Sequence, residues 1–556
     1  MKPRRPLPAW LQTAVLYQIY PQSFCDSNGD GLGDLPGIIG KLDYLRSLGA
    51  TALWLNPVFD SPFGDAGYDV RDFRRVAPRY GTNADLRRLF REARRRGMRV
   101  LLDLVAGHTS AEHPWFRDSA SARPGRHRDW YVWSRHWLQA FGRTDYIHGH
   151  GGRNGSFLAN FFHFQPALNY GFARPTEPWH QPVTAPGPRA VKAELKRIMQ
   201  FWLEAGCDGF RVDMAASLVK GDPDGSGLRR FWGGFRDWLD RDWPEAVLLA
   251  EWGHPAAAIR AGFHIDFLLH FGEPAYRHLL RPEPAPQPGK ISPEPCYFRR
   301  RGGCGVTGFL ENYLRHLRAT AGRGYLSLPT GNHDFARLIR GRTEDELRVI
   351  YALLLTLPGV PCLFYGDEIG LRFRENLPSR EGGYARTGTR CPMAWDDTVN
   401  HGFSSAAAAD CYLPPDPDPG APEVAAQSAD PGSLLNLVRT LLRLRREIPA
   451  LGNAAKFAPL HATDRPAPFV YERRSGRQRV IVAVNPAATP HLLTVPALRG
   501  AMPLLVRRAS VAGQRLRLPG VAFGIFLCQS TASAGRRMGA KVRKRTKTRK
   551  SPGGAS

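Results

Sequence analysis

Eight short apolar runs, separated by helical patterns, constrain this chain more than any other feature. They read AVLYQIY (14–20), ALWLNPV (52–58), RVLLDLVAG (99–107), CDGFRVDMA (207–215), AVLLAEW (246–252), HIDFLLHF (264–271), GYLSLPTG (324–331) and GVPCLFYG (359–366). Continuous apolar runs of this length are what strands buried on both faces look like. Between them lie amphipathic segments such as NADLRRLFREARRRG (83–97) and VKAELKRIMQFWLEAG (191–206), the second closed by Gly206 at a position suited to a C′ residue. Eight strand–helix alternations predict an α/β fold, a closed (β/α)8 TIM barrel rather than an open doubly wound sheet.

One connection breaks the rhythm. From His108 to a helix starting near Arg189 run about 80 residues, against the usual two to six. This stretch, rich in Trp, Phe, His, Gly and Pro, predicts a subdomain inserted after strand 3, over the barrel mouth. A helix is expected in SLLNLVRTLLRLRREIPAL (433–451). The runs APFVYERR, RQRVIVAVN, HLLTVPA, MPLLVRR, QRLRLPG and VAFGIFLC then predict a β-sandwich. The expected division is a catalytic barrel of 1–108 and 189–452, an inserted subdomain of 109–188, a C-terminal all-β sandwich of 453–530, and a basic tail of 531–556.

A net charge of +27 would suit a nucleic-acid or anionic-surface partner. Nine of the cations, however, crowd into 536–550 without a single acid or a core to bury, which predicts a disordered tail. Much of the remainder is Arg on helix faces. No nucleic-acid partner is expected beyond non-specific contact by that tail. The eight cysteines are scattered with no Cys-x-x-Cys pair, pointing to a reduced chain without a disulfide framework. The N-terminus has Pro and Gln where a secretory segment needs unbroken apolar residues, and no run approaches the ~20 residues of a membrane span. The expectation is a cytoplasmic protein with no membrane partner, its oligomeric state open.

Polar residues fall where the predicted strands end, at the barrel face that carries chemistry. The third strand closes into Asp103 and His108, the fourth into Arg211 and Asp213, the fifth into Glu251, and the seventh into Asn332, His333 and Asp334. Charges ending apolar strands cost burial energy and need a reason. DLVAGH (103–108), GFRVD (209–213), AEW (250–252) and GNHD (331–334), in this order and spacing, resemble signature regions of the α-amylase superfamily, glycoside hydrolase family 13. SPFGDAGYDV (61–70), FQPALNYG (164–171) and GGYARTGTRCPMAWD (382–396) are similar to segments of its oligo-1,6-glucosidase and α-glucosidase branch. The similarity runs from about Trp10 to Cys528.

The resemblance implies Asp213 as nucleophile, Glu251 as general acid/base and Asp334 as transition-state stabiliser. It implies that His108 and His333 bind sugar hydroxyls, that Tyr68 is a stacking platform, and that Asp65 pairs with Arg337 around a terminal glucose. Physical reasoning agrees about the carboxylates. A retaining glycosidase needs one ionised and one protonated carboxyl. Arg211, two residues before Asp213 on the same strand face, should hold it ionised. Glu251 ends the run VLLA beside Trp252, where a less polar setting should keep it protonated.

DSNGDGLGD (26–34) offers oxygens from Asp26, Asn28, Asp30 and Asp34 and a carbonyl at Leu32, the donor set of a structural Ca²⁺ loop. Two positions depart from the family pattern. Gly107 stands where Asn is usual and Ala167 where Asp is usual, which argues against the calcium that α-amylases hold between barrel and insert. Met214 matches neither the Val associated with α-1,6 preference nor the Ala or Thr associated with α-1,4. The leading expectation is a retaining α-glycosidase acting on a small oligosaccharide or disaccharide through a covalent glycosyl-Asp213 intermediate. The alternative is a glucosyl transferase or isomerase, trehalose synthase-like or sucrose-active. A third reading, a non-catalytic barrel partner of membrane proteins, fits poorly with three retained carboxylates and no span.

Overall fold

The computed structural model describes residues 5–269, 275–280 and 296–528. The tail 531–556 lies outside the described residues. Each of the eight apolar runs forms a strand: β1 Leu16–Ile19, β2 Ala52–Leu55, β3 Arg99–Leu104, β4 Gly209–Val212, β5 Val247–Ala250, β6 Ile265–Phe267, β7 Tyr325–Pro329 and β8 Val360–Phe364. Neighbours pair in parallel, and β8 pairs with β1, closing the barrel. Alternation sorts the side chains. Leu16, Trp54, Leu101, Leu249, Ile265, Phe267 and Cys362 fill the interior. Leu53, Leu102, Phe210, Leu248 and Leu363 pack outward under the helices.

Local chemistry sets the helix ends. The helix Asn83–Arg95 starts in a reciprocal cap between Thr82 and Asp85 and buries Leu86, Leu89, Phe90 and Ala93. Its arginines find acids, Arg94 with Asp208 at 3.0 Å and Arg96 with Asp43 and Glu92 at 2.8 and 2.9 Å. The next long helix, Pro186–Ala205, begins three residues before the expected Arg189, because Pro186 has no N–H to satisfy in a first turn. It stops at Gly206, whose φ of 113° only glycine adopts cheaply. The helix expected over 433–451 spans Leu434–Glu447, capped by Ser433, and Pro449 follows its end.

Residues 109–185 hold one short α-helix, Pro114–Ser119, a 3₁₀ turn, Trp137–Ala140, and a pairing of Tyr146–Ile147 with Phe157–Leu158. Aromatic contact organises them, Phe116 stacking on Trp133 at 5.7 Å and meeting Phe157 edge-on at 4.9 Å. A bridge between His108 and Ala167 ties this segment to the end of β3.

After the barrel come β9 Lys456–His461, β10 Phe469–Ser475, β11 Gln478–Asn485, β12 His491–Thr494, β13 Met502–Arg507, β14 Ser510–Ala512, β15 Arg515–Leu518 and β16 Ala522–Cys528. They form a five-stranded sheet, β9-β10-β11-β16-β13, and a three-stranded sheet, β12-β15-β14. Val470, Ile481 and Phe526 of one meet Leu516 and Leu518 of the other in a shared core. β9 is not expected from sequence. It is a largely exposed edge strand containing Pro459, so KFAPLH shows no apolar alternation.

Candidate active site

Strand register builds the site. Asp103 of β3 and Arg211 of β4 are direct neighbours across the sheet, and Asp213 and Glu251 follow just past the ends of β4 and β5. All point into the barrel mouth. The Arg211 guanidinium, 1% exposed, meets three carboxylates: Nη1 lies 2.9 Å from Asp103 Oδ1 and 2.8 Å from Asp213 Oδ1, and Nη2 lies 2.7 Å from Glu251 Oε1. The Met214 amide donates to Glu251 Oε2 at 2.9 Å. Asp103 also accepts from Trp54 Nε1 at 3.0 Å and the Tyr68 hydroxyl at 2.9 Å.

This electrostatic arrangement separates the carboxyls. Burial pushes Glu251 up to about 8, with Arg211 opposing and the Asp213 charge adding to the rise. Burial also lifts Asp213 to about 6, against the pull of Arg211 and a hydrogen bond with Glu251. Glu251 is therefore the protonated partner at neutral pH and Asp213 the ionised one. The expected protonation of Glu251 follows from its burial, although a guanidinium and an amide touch it. Asp334 moves the other way. Burial alone would raise it, but His333, Arg386, Arg390 and Arg211 outweigh burial and hold it well below the usual carboxylate range. Arg386 Nη1 sits 2.5 Å from Asp334 Oδ1, and His333 Nε2 sits 3.4 Å from Oδ2.

Both histidines are neutral, burial pushing each down to about 3. Gln18 and Asn56 amides face His333 Nδ1 at 3.0 and 3.1 Å, which leaves the ring proton on Nε2, toward Asp334. Tyr68 stacks on His333 with centroids 5.3 Å apart. Both nitrogens of His108 are engaged, Nδ1 by Asn160 Nδ2 at 3.0 Å and Nε2 by the Tyr68 carbonyl at 3.1 Å. A sugar hydroxyl reaching His108 must share it with that carbonyl.

The expected Asp65–Arg337 pair does not form. Arg337 points away, to the Tyr365 carbonyl and Asp367, the latter at 3.2 Å. Asp65 instead accepts from Gln165 Nε2 at 2.8 Å. Burial raises it to about 6, and the cations acting on it are Arg390 and Arg386. Both lie in the segment GGYARTGTRCPMAWD, but nothing in that sequence says which arginine reaches across the mouth.

At the seam between barrel and insert, a Cβ on Gly107 would meet Asn160 Nδ2 at 2.7 Å. The Lys220 ammonium lies beside it, 3.1 Å from Asn160 Oδ1 and 2.5 Å from the Ser217 carbonyl. In the 26–34 loop, Asp26 Oδ1 accepts the amides of Asn28 and Gly29, and its Oδ2 accepts from Gly31 N and Ser404 Oγ. The side chains of Asn28 and Asp30 likewise accept the amides of Asp30 and Leu32. Asp34 caps the helix Leu35–Gly40 through Gly37 N. The donor chemistry, all oxygen, fits a hard cation. Among the described residues, no three His, Cys, Asp or Glu side chains gather closely enough to hold a metal ion, so carbonyl and amide oxygens would have to complete the shell. No described helix is long and apolar enough to cross a membrane.

The family described as alpha amylase, catalytic domain, matches residues 18–260 and 304–454. The trehalose synthase/amylase TreS of Mycobacterium tuberculosis is 33% identical over 493 residues, covering 81% of this chain and 77% of its own length. The oligo-1,6-glucosidase of Parageobacillus thermoglucosidasius is 28% identical over 538 residues, covering 86% and 90%. Among solved structures, the alpha-glucosyl transfer enzyme XgtA aligns with a TM-score of 0.76 at 29% identity, over 94% of this chain and 100% of that one. The trehalulose synthase MutB from Pseudomonas mesoacidophila MX-45 aligns at 0.77 and 26% identity, over 94% and 100%.

Proposed function

Because this chain belongs to the α-amylase superfamily, glycoside hydrolase family 13, we propose that it is a retaining α-glycosidase acting on short α-glucosides from the non-reducing end. The observation that carries the proposal is Arg211, which holds Asp213 and Glu251 against one guanidinium. Two carboxyls held on one guanidinium fit the close pair of a retaining enzyme rather than the wider pair that an inverting enzyme opens around a water.

In the first step an Asp213 oxygen bonds to the anomeric carbon while the glycosidic C–O bond breaks. The Glu251 proton passes to the departing oxygen. Asp334, kept ionised by Arg386 and Arg390, stabilises the positive charge that develops on the ring. In the second step Glu251, now ionised, takes a proton from water as its oxygen attacks the anomeric carbon, and the Asp213 ester breaks. Retention follows from two inversions. Asp65 with Arg390 and Arg386, together with His333 and Tyr68, would grip the terminal glucose, and Arg337 would support the loop from below.

The second reading replaces water by a sugar hydroxyl, giving a glucosyl transferase or isomerase. It draws on the likeness to TreS, XgtA and MutB, and on rings at the mouth, where exposed Tyr384 stands 6.0 Å from half-buried Phe162. Aromatic walls there would shield a glucosyl ester from water. Incubation with maltose, isomaltose, sucrose and trehalose separates the two. Free glucose supports hydrolysis; new disaccharides without glucose release overturn it. We also propose a structural Ca²⁺ on Asp26, Asn28, Asp30, the Leu32 carbonyl and Asp34. It would brace the loop that Ser404 joins to the segment after β8, away from the reacting carboxyls.

A further inference from the structure

The middle residue of β6 is out of place in a barrel strand. Ile265 and Phe267 fill the barrel interior, so Asp266 between them points outward, to the layer where neighbouring strands present apolar side chains. It is fully buried. Its Oδ1 accepts the Trp252 amide at 3.0 Å, its Oδ2 accepts the His254 amide at 2.9 Å, and the Gly253 amide donates as well. These are the three residues that follow Glu251. Gly253 takes φ of 73°, which turns three consecutive N–H groups toward one point.

We infer that Asp266 is a positioning residue for Glu251, its carboxylate gathering the three amides beyond the acid/base and fixing the direction in which Glu251 leaves its strand. The inference rests on the acid/base reading of Glu251. The other side of the turn is already anchored, since Glu251 N donates to the Val212 carbonyl at 3.0 Å and Ala215 N to the Glu251 carbonyl at 3.1 Å. His254 continues the chain by capping the helix Pro255–Ala261 through Ala257 N. Without Asp266, one flank of Glu251 would be held only by strand pairing, and the three amides would lose this acceptor. Burial pushes the Asp266 carboxyl upward, and the amides oppose that rise. The partners named here are all N–H donors, so the carboxyl oxygens serve as acceptors. Asp266 acts on Glu251 through the backbone turn rather than by touching its side chain.

Asp266→Asn keeps the shape and removes one acceptor. Misplacing an acid/base by about 1 Å costs on the order of 10²-fold, and general acid catalysis matters most for poor leaving groups. The test compares kcat/KM for maltose, which needs its leaving oxygen protonated, with kcat/KM for α-glucosyl fluoride, which does not; kcat/KM reports only the steps up to ester formation, so the ester hydrolysis common to both substrates drops out. Asp266→Asn should lose about 10- to 100-fold on maltose and less than about 3-fold on the fluoride. In a Glu251→Gln background the same change should alter the ratio of the two rates no further. The ratio is internal to whatever fraction is folded, so lost stability does not obscure it. If Glu251→Gln discriminates between the substrates while Asp266→Asn slows both alike, or neither, the inference fails and the acid/base reading stands. If Glu251→Gln itself slows both alike, the acid/base reading fails and takes the inference with it.

Discussion

Replacing Glu251 by Gln should slow turnover of glucosides with poor leaving groups and yet make the protein more stable, by an amount that depends on pH. Burial raises this carboxyl from its ordinary 4.5 to about 8. The folded chain therefore holds the Glu251 proton more tightly than the unfolded chain does. Folding takes up a proton between those two values, and stability falls as pH rises through that window. From 4.5 to pH 7 is about two and a half pH units, which at roughly 1.4 kcal/mol per unit is worth about 3 kcal/mol. The side chain is 10% exposed, so solvent relieves only a small part of this. Gln has a carbonyl oxygen for Arg211 or Met214 and an N–H for Asp213, as the protonated acid has, but carries no ionisation penalty. The expected gain is on the order of 1–3 kcal/mol at pH 7 to 8, fading below pH 4.5 where both states of the wild type are protonated. Thermal unfolding of wild type and Glu251→Gln across pH 4 to 8 measures it. A variant no more stable than wild type at pH 8, or a gain that is flat with pH, would refute the reasoning.

Asp213→Asn should lower kcat by about four orders of magnitude, read as glucose release or disaccharide formation, because no covalent ester can form. The wild-type kcat/KM should rise through about 6 as Asp213 loses its proton and fall through about 8 as Glu251 loses its own; an alkaline limb absent up to pH 10 would contradict the assignment. Arg386→Met removes the cation 2.5 Å from Asp334 and should cut kcat by roughly 10- to 100-fold, whereas Arg337→Met should act mainly on melting temperature. EDTA should lower melting temperature more than turnover if the 26–34 loop holds a structural ion, and equal losses would place the metal nearer the chemistry.

The barrel was legible because its strands are buried on both faces, and a chain spends eight uninterrupted apolar runs only on a sheet covered inside and out. The carboxyl cluster was legible for the same reason, since Asp103, Asp213 and Glu251 end runs that otherwise exclude charge. What sequence could not supply was direction across space. Arg337 stands three residues after Asp334 and looked well placed for Asp65, yet the turn after β7 aims it at Asp367. Arg386 and Arg390, about fifty residues on, occupy the mouth instead. Nor could spacing reveal that Asn160 would take one nitrogen of His108, because both partners sit in segments with no periodicity. β9 escaped notice because an edge strand needs neither alternation nor an apolar face.

Around Arg211 the protein has assembled two anions, Asp103 and Asp213, with one cation between them and a third acid kept neutral only by its proton. Immediately around Arg211 the anions thus outnumber the cation, while Arg386 and Arg390 answer Asp334 elsewhere in the mouth. On the proposed mechanism, a sugar ring whose anomeric carbon becomes cationic as its bond stretches would supply positive charge at that spot. The free protein would then be held in a less comfortable electrostatic state than it needs to be, with relief arriving at the top of the reaction barrier rather than on binding a neutral sugar.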